Sequence, residues 1–473
     1  MESVFQRISA VASAAGDKTA FLFMDENEGR HEVSFARFRE DIHRAAGEIL
    51  AISRRSGAER FGILAANSYD YIVSILGILG AGKTVVLLNI ETSFKELDYE
   101  IELAELPCIL HDGRYAELED AFLPKYGSRL LDMDFYRDAQ PCYELAEPDM
   151  SSLGVLLFTS GTTGMSKGVM LSHENVAYGV DSCFDYLDRF VISGEGDMIY
   201  ECFPFYHVGG LTDALCWILT GKPMVISLDK RFFFRDLGAY SCSYISLVPA
   251  ILETIRKYFR RGRTNCIGSV RKILTSAAYC EQSLIEFFKD YSIDVYQLYG
   301  LSENTGIGLM NFTDGKFDSI GIEQKHVQFR LDEGEICLSG KAVMMGYMKN
   351  PEATEAILQD GWLHTGDLGR VDEEGFVYIT GRKKNLIILA SGENVSPEEL
   401  ESLILQDARV TEVVVREEGS KICAEIYCDA DACEGIRAHV AAVNTQLPQY
   451  KHIGLVLFRE EPFPRTATGK IKR

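Results

Sequence analysis

Up to about Gly381, the chain alternates amphipathic segments of helical period with short runs of apolar and β-branched residues. Four such runs are RFGILAAN, TVVLLN, LGVLLFT and MVISL. Helical patterns that alternate with buried strands are typical of α/β folds. The pattern therefore predicts an α/β architecture for most of the chain.

The pattern changes around the segment GRKKNLIILASGENVSPEELE. From there to the C-terminus, the residues predict a strand, a helix, the strands VTEVVVRE and KICAEIYCD, a second helix and the strand LVLFRE. In the first of these helices, we expect Ser396 to cap, Pro397 to occupy the first turn and Glu399 to complete a capping box. The sequence thus predicts domains at 1–382 and 383–473, joined by a short hinge because no Pro- or Gly-rich linker separates them.

Composition narrows the class of protein. A chain of 473 residues is long enough for two domains, and a net charge of −22 argues against broad binding to nucleic acid or anionic membranes. Twelve cysteines occur singly, and the N-terminus has no apolar core of signal-peptide type, which together predict a reducing cytoplasm. Ser74 and Lys83 interrupt the apolar run from Tyr71 to Leu88, so no membrane span is predicted.

The segment GILGAGKT, from Gly77 to Thr84, matches the P-loop pattern GxxxxGK[ST]. A P-loop must follow a strand and begin a helix, whose N-terminal amides then face the phosphates. Here a helical pattern precedes the motif and the strand TVVLLN comes after it. We therefore interpret the motif as the end of a helix with glycine at its C-terminus.

The segment FTSGTTGMSKGVMLSH, from Phe158 to His173, is a better phosphate-binding candidate. Its glycines allow a tight backbone fold, its hydroxyls donate hydrogen bonds, and one lysine supplies a countercharge. By local chemistry alone the loop is equally typical of a surface turn. The candidate residues are Thr159, Ser160, Gly161, Thr162, Thr163, Gly164 and Lys167.

Four further motifs occur in order: FPFYHVGGL from Phe203, YQLYGLSENTG from Tyr296, WLHTGDLGRV from Trp362 continuing to GRKKNLII, and the C-terminal PRTATGKIKR. Together with the phosphate loop, they resemble the signatures of the adenylate-forming superfamily of acyl- and aryl-CoA ligases, adenylation domains and luciferases. The resemblance implies a large N-terminal domain of stacked β-sheets with helices, followed by a small mobile α+β domain. It also implies that ATP is a substrate and that Mg²⁺ assists.

The resemblance assigns roles to particular residues. Tyr299, followed by Gly300, would stack on adenine, Ser302 would bond a phosphate oxygen, and Glu303 would hold the magnesium ion. Relatives usually carry Thr at the Ser302 position, so the hydroxyl is kept. The other implied roles are ribose binding by Asp367, nucleotide contact by Arg382, a hinge at Lys384, adenine-side positions Ala277 and Ala278, and carboxylate and α-phosphate bridging by Lys470.

The acyl pocket is assigned by the same resemblance. Its lining would include His207, Leu211, Thr212 and Gly306, with Ala277 and Ala278 close by. Relatives that activate amino acids carry an aspartate within the segment that begins at Phe203, and FPFYHV has none. We therefore expect a fatty or aromatic acid with an uncharged body, held in an apolar tunnel.

The expected acceptor is coenzyme A. Rotation of the small domain about Lys384 would exchange Lys470 for the segment GENVSPEE and open a tunnel for the thiol. Three alternatives stay open from the sequence: an enzyme that loads an acyl carrier protein, a catalytically silent nucleotide-binding homologue, and an oxidative light-emitting enzyme. A second copy of the chain is a further candidate partner.

Overall fold

The computed structural model describes residues 1–113, 119–159, 165–278, 280–313, 315–389, 394–419, 421–464 and 471. The chain divides into two compact units. The first comprises 1–329 and 338–363, and the second comprises 330–337 and 364–473. The predicted border at 382–383 concerns where the chain hinges and stays a prediction.

Helices and strands alternate along the chain as the pattern predicts. The helices are α1 (Val4–Ala15), α2 (Phe35–Ser56), α3 (Tyr69–Gly80), α4 (Phe94–Ala104), α5 (Glu119–Tyr126), α6 (His173–Tyr186), α7 (Val208–Leu219), α8 (Phe233–Ala239), α9 (Pro249–Arg260), α10 (Gln282–Lys289), α11 (Pro351–Ile357), α12 (Pro397–Leu405) and α13 (Cys433–Asn444). The strands are β1 (Thr19–Met24), β2 (Arg30–Ser34), β3 (Arg60–Leu64), β4 (Thr84–Leu87), β5 (Cys108–His111), β6 (Leu130–Asp132), β7 (Leu153–Thr159), β8 (Lys167–Ser172), β9 (Ile199–Glu201), β10 (Met224–Ile226), β11 (Tyr244–Leu247), β12 (Lys272–Thr275), β13 (Asp294–Tyr299), β14 (Leu309–Asn311), β15 (Ile322–Glu323), β16 (Val327–Asp332), β17 (Glu335–Gly340), β18 (Gly346–Tyr347), β19 (Leu358–Gln359), β20 (Trp362–Val371), β21 (Val377–Arg382), β22 (Ile387–Ile388), β23 (Asn394–Val395), β24 (Val410–Glu418), β25 (Lys421–Cys428) and β26 (Ile453–Arg459).

Two large mixed sheets form the first unit. One has the order β15-β14-β13-β12-β11-β9-β10-β1-β2, and the other has the order β18-β8-β7-β4-β3-β5-β6. The central strands β3, β4 and β5 are parallel and their side chains are almost completely buried, which explains why RFGILAAN and TVVLLN are nearly continuous apolar runs. The predicted α/β architecture is confirmed.

The GILGAGKT segment has the structure expected of a helix terminus. Helix α3 ends at Gly80, Gly82 has a positive φ of 66°, and Lys83 N–H donates to the carbonyl oxygen of Ile78. Strand β4 then begins at Thr84. The motif therefore lacks the strand-to-helix turn that a P-loop requires, and its rejection is confirmed.

In the second unit, α12, β24, β25, α13 and β26 occur in the predicted order. Strand β25 pairs antiparallel with β24 and parallel with β26, over a core that includes Ile404, Val415 and Ile436. Ser396 caps α12 as expected, since its Oγ accepts from Glu399 N–H. The capping box is wrong, because the Glu399 carboxylate instead accepts from Lys451 Nζ at 2.7 Å.

A helix that crosses a bilayer needs about 20 consecutive, predominantly apolar residues. Within the ranges that the structure describes, no helix combines the length and the apolar character needed to do so.

Candidate active site

The carboxyl ends of several parallel strands gather one set of predicted residues. Strands β9, β11, β12 and β13 run parallel in the larger sheet, so the segments that come after them leave from the same edge. His207 comes after β9, Ala277 and Ala278 after β12, and Gly300 after β13. Ligands of open α/β sheets bind at this edge.

The segment between β9 and α7 is held in place by hydrogen bonds between its backbone and the side chain of Asn67. Asn67 Nδ2 donates to the carbonyl oxygen of Phe203, and Phe205 N–H donates back to Asn67 Oδ1. Phe203 N–H also donates to the buried Glu201 carboxylate at 2.9 Å. His207, at the end of this turn, precedes α7 and has a lowered pKa because burial disfavours the imidazolium, although Glu91 opposes the shift. It is therefore neutral near pH 7.

Three of the predicted pocket positions lie together. A side chain on Gly306 would meet Thr212 Oγ1 and Val208 Cγ1 at 3.4 Å each. A side chain on Gly300 would overlap the carbonyl oxygen of Gly306, so these two backbones touch and only glycine fits at position 300. Leu211 and Thr212 are both buried on α7. Thr212 and Gly306 are therefore close together and uncharged, while their role in an acyl pocket stays a prediction.

The phosphate-loop candidate joins two antiparallel strands. Thr159 ends β7, Lys167 begins β8, and these two residues are paired across the strands. The intervening candidates Ser160, Gly161, Thr162, Thr163 and Gly164 lie outside the described residues. Strand β7 is the β-rich run LGVLLFT, and β8 begins at the candidate lysine. The phosphate contacts stay a prediction.

Lys167 and Glu303 both contact Tyr347. The Lys167 ammonium lies 4.8 Å from the centre of the Tyr347 ring, and the Tyr347 hydroxyl donates to Glu303 Oε1 at 2.6 Å. Strand β18 carries Tyr347 to this position because it pairs with β8, with Tyr347 opposite Val169. Burial and the neighbouring Glu303 carboxylate raise the pKa of Tyr347, so it stays a neutral donor.

Glu303 is held by a 3-10 turn at Ser302–Asn304. Asn304 stabilises the turn, since its Oδ1 accepts from Leu301 N–H and its Nδ2 donates to the carbonyl oxygen of Ile307. Met344 N–H donates to the backbone carbonyl of Glu303 at 2.8 Å. The side chain is thus presented on a rigid turn, and Tyr299, at the end of β13, is 9% exposed.

The chemistry of these donors fits Mg²⁺ and a polyphosphate. Among the described residues, Glu303 bonds to a neutral hydroxyl and to no basic side chain, so no ion pair competes with a hard cation for its carboxylate oxygens. The Lys167 ammonium, 4.8 Å from the centre of the Tyr347 ring, offers the complementary charge for phosphate oxygens.

The second unit holds its own pair of predicted residues. Asp367 and Arg382 face each other across β20 and β21, and Arg382 Nε lies 2.6 Å from Asp367 Oδ1. Asp367 is 3% exposed and Arg382 is half-exposed, so the cation can turn toward a ligand while the carboxylate stays fixed. Lys384 belongs to the 3-10 turn Lys383–Asn385 that comes after β21. Lys470 lies outside the described residues.

Tyr347, Asn67 and Glu100 were missed by the sequence reasoning. Glu100 is buried on α4, and its Oε1 accepts from the Ser166 hydroxyl at 2.8 Å, directly before Lys167. Burial raises the pKa of Glu100 to about 8, although the hydrogen bond from Ser166 opposes the shift. Tyr347 in MMGYMKN and Glu100 in DYEIELA could not be recognised as site residues from the local sequence, because their partners are distant in sequence.

The family model for AMP-binding enzymes matches residues 8–348, and the chain belongs to this family of adenylate-forming enzymes. It is an acid–CoA ligase that acts through an acyl-adenylate, the reaction of this class using ATP, Mg²⁺ and coenzyme A. The expected family and reaction class are confirmed, and the silent-homologue and light-emitting alternatives are set aside.

Relatives match along the whole chain. It is 28% identical to 2-succinylbenzoate–CoA ligase of Bacillus cereus strain Q1, covering 100% of this chain and 98% of the relative. It is 29% identical to the enzyme of the same name from Listeria monocytogenes EGD-e, covering 96% and 95%. Among solved structures, o-succinylbenzoate CoA synthetase of Bacillus subtilis with its acyl-adenylate OSB-AMP is 25% identical, with a TM-score of 0.82 and coverage of 98% and 96%. The same Bacillus subtilis enzyme has been solved with ATP and a magnesium ion.

Proposed function

We propose that this ligase activates a fatty or aromatic acid whose body, apart from the reacting carboxylate, is uncharged. The observation that carries the proposal is the composition of the predicted pocket. Leu211, Thr212, Gly306, Ala277 and Ala278 bear no charge, and burial holds His207 in its neutral form. A second carboxylate in this pocket would lose its hydration without gaining a cationic partner among these residues.

The proposed roles of the polar residues rest on their contacts. Lys167 and Glu303 bind the polyphosphate and its Mg²⁺ beside Tyr347, while Ser302 and the loop 159–164 supply neutral donors. Tyr299 and Gly300 bind the adenine side, and Asp367 and Arg382 bind the ribose and phosphate side. Positioning and charge neutralisation supply most of the catalysis in such a displacement at phosphorus.

Lys470 is the proposed catalytic residue for adenylation, and Lys384 is the proposed hinge. The proposed domains are 1–382 and 383–473. Lys470 would neutralise charge as the acid attacks the α-phosphate. Lys384 lies in the 3-10 turn that comes after β21, at the proposed border between the domains. The twelve cysteines are free thiols, which supports a reducing, cytoplasmic setting.

A matched pair of acids tests the pocket. The first is 2-succinylbenzoate, and the second is 4-oxo-4-phenylbutanoate, the same skeleton without the ring carboxylate. ATP- and CoA-dependent thioester formation is measured for both, beside octanoate and benzoate. The proposal predicts a higher kcat/KM for 4-oxo-4-phenylbutanoate than for 2-succinylbenzoate.

A kcat/KM for 2-succinylbenzoate that is tenfold higher or more would contradict the uncharged pocket. It would indicate that this enzyme uses the substrate for which its relatives are named. Thr212→Ala and Leu211→Ala serve as pocket variants, with Leu400→Ala, the truncation of a buried leucine on α12, as a control outside the predicted pocket. Pocket variants should change KM for the acid and leave KM for ATP unchanged.

A further inference from the structure

A cavity lies in the first unit, among elements that carry none of the proposed catalytic residues. It has a volume of about 370 Å³ and is walled by α1, α2 and the segment 143–148. Cavities of this size accept small organic ligands. Its position on helices α1 and α2, rather than at the strand ends, sets it apart from the residues assigned to ATP and the acid.

The walls combine apolar surface with hydroxyl groups. Phe5, Ala10, Leu145 and Pro148 provide the apolar part, and Ser9 and Ser13 contribute hydroxyls from α1. Tyr143, which is 50% exposed, lies at the cavity and offers a ring face. Such a lining suits a flat or short apolar body with a polar group at one end.

Arg39 is the only lining residue with a permanent positive charge, and none of the lining residues is acidic. Its guanidinium lies 4.7 Å from the centre of the Tyr143 ring. Among the described residues, its Nε is buried and has no hydrogen-bond partner. A buried guanidinium N–H without an acceptor is costly, and an anionic ligand would satisfy it.

The neighbouring arginines of α2 differ in this respect. Arg37 and Arg44 both bond to Asp41, at 2.8 Å each. In a chain with 70 acidic and 48 basic residues, partners for arginine are abundant. Arg7, Arg235 and Arg256 also have a buried N–H without an acceptor, but each of them makes an ion pair with a carboxylate. Within the part of the chain that the structure describes, Arg39 makes none.

His43 completes the polar end of the cavity as a neutral group. Its Nδ1 lies 2.8 Å from the carbonyl oxygen of Cys142, which can only accept, so Nδ1 carries the hydrogen. Its Nε2 then accepts from the Ser9 hydroxyl at 2.8 Å. The imidazole and Ser9 satisfy each other, which leaves Arg39 as the group that can select a ligand by charge.

We propose that this cavity is a second binding site for a small carboxylate with an aromatic or apolar body, held by Arg39 through an ion pair and by Tyr143 through ring contact. The proposal is independent of which acid the catalytic pocket takes.

Photo-crosslinking of the full chain with 4-benzoylbenzoate tests this site, since it reports where the probe binds. Labelling is expected on the tryptic peptides 1–7 and 8–18 and, located by fragment-ion sequencing within peptide 138–167, on residues 143–148, which carry the walls of the cavity. Peptide 190–230, which is not cut at Lys222 because proline follows, contains His207 and Leu211, so any labelling there is an internal control for the acyl pocket. The uncharged probe 4-benzoylbenzamide should label the cavity peptides at least tenfold less.

Arg39→Ala and Arg39→Gln should reduce labelling of the cavity peptides at least tenfold and leave labelling of peptide 190–230 unchanged, while Arg39→Lys restores part of the signal. Arg55→Ala, on the same helix but outside the cavity, is the matched control. Circular dichroism of each variant verifies folding. Absence of cavity labelling in the wild type, equal labelling by the amide, or labelling that survives in both Arg39→Ala and Arg39→Gln would overturn the proposal.

Discussion

The Tyr347 hydroxyl donates to Glu303 Oε1 at 2.6 Å, while the same ring lies under the Lys167 ammonium at 4.8 Å. One tyrosine therefore contacts both the proposed phosphate-binding lysine and the proposed magnesium ligand. Because these residues come from β8, β18 and the turn after β13, their distance depends on the register of β18 against β8. The contact makes Tyr347 a positioning residue for both charges.

Tyr347→Phe should weaken magnesium use while leaving the fold intact. The substitution removes the hydrogen bond that orients Glu303 but keeps the ring beneath Lys167. A hydrogen bond to a charged group contributes about 1.5–3 kcal/mol, so kcat/KM should fall by about tenfold or more. Pyrophosphate release measured against Mg²⁺ concentration should show the loss mainly as a raised requirement for the metal.

The control for this variant is Tyr291→Phe, since Tyr291 is an exposed tyrosine on the same unit. Tyr347→Ala should lose more than Tyr347→Phe, because it also removes the ring from Lys167. If Tyr347→Phe had the wild-type magnesium dependence, Tyr347 would have no positioning role toward Glu303.

Glu100→Gln should change how stability depends on pH. Burial raises the folded-state pKa of Glu100 from 4.5 to about 8, so the folded protein holds a proton that the unfolded chain has lost. The contribution of Glu100 protonation to the free energy of unfolding is fully present below pH 4.5 and is lost as the pH rises through about 8. Between these values, the free energy of unfolding falls by up to about 1.4 kcal/mol per pH unit. Glutamine stays neutral and can accept from Ser166.

Urea denaturation of both proteins from pH 5 to 9 measures this difference. The gap in the free energy of unfolding should grow in favour of Glu100→Gln as the pH rises. Glu102→Gln, on the same helix, is the control. A constant gap across this range would show that Glu100 does not titrate as its burial implies.

Local pattern was sufficient for elements whose partners are near in sequence. The rejection of GILGAGKT rested on a helix before the motif and a strand after it, and α3 and β4 confirm both. The order of the second unit could be predicted from alternating patterns in the same way. The prediction that Ser396 caps α12 was correct, because this contact is local. The predicted role of Glu399 in a capping box was wrong, because its carboxylate accepts a hydrogen bond from Lys451, 52 residues later in the chain.

Contacts across long sequence separations were outside the reach of such patterns. Tyr347 meets Glu303 only because β18 joins the edge of a sheet, and Ser166 meets Glu100 only because α4 packs beside the segment that enters β8. Nothing in MMGYMKN or DYEIELA marks these residues. The family resemblance identified Lys167 and Glu303 as site residues. It did not identify Tyr347, whose side chain contacts both of them.

Arg382→Ala should raise KM for ATP by about tenfold, because it removes a half-exposed cation that lies 2.6 Å from Asp367 and can contact phosphate or ribose oxygens. Arg370→Ala is the matched control, since Arg370 lies on the same hairpin and covers the Tyr378 ring at 3.9 Å. The measurement is the initial rate against ATP concentration at saturating acid and CoA. An equal increase in both variants would assign the effect to the hairpin rather than to nucleotide contact.

The most direct test of the central claim separates the two half-reactions of wild type, Lys470→Ala and the neighbouring control Lys472→Ala. Acid-dependent pyrophosphate release should become multi-turnover only with coenzyme A, and Lys470→Ala should lose it by 100-fold or more while Lys472→Ala retains it. Given preformed acyl-adenylate, Lys470→Ala should still form the thioester with CoA. Multi-turnover release that is indifferent to CoA would point to a carrier-protein thiol, and normal adenylation by Lys470→Ala would contradict the proposed role of this lysine.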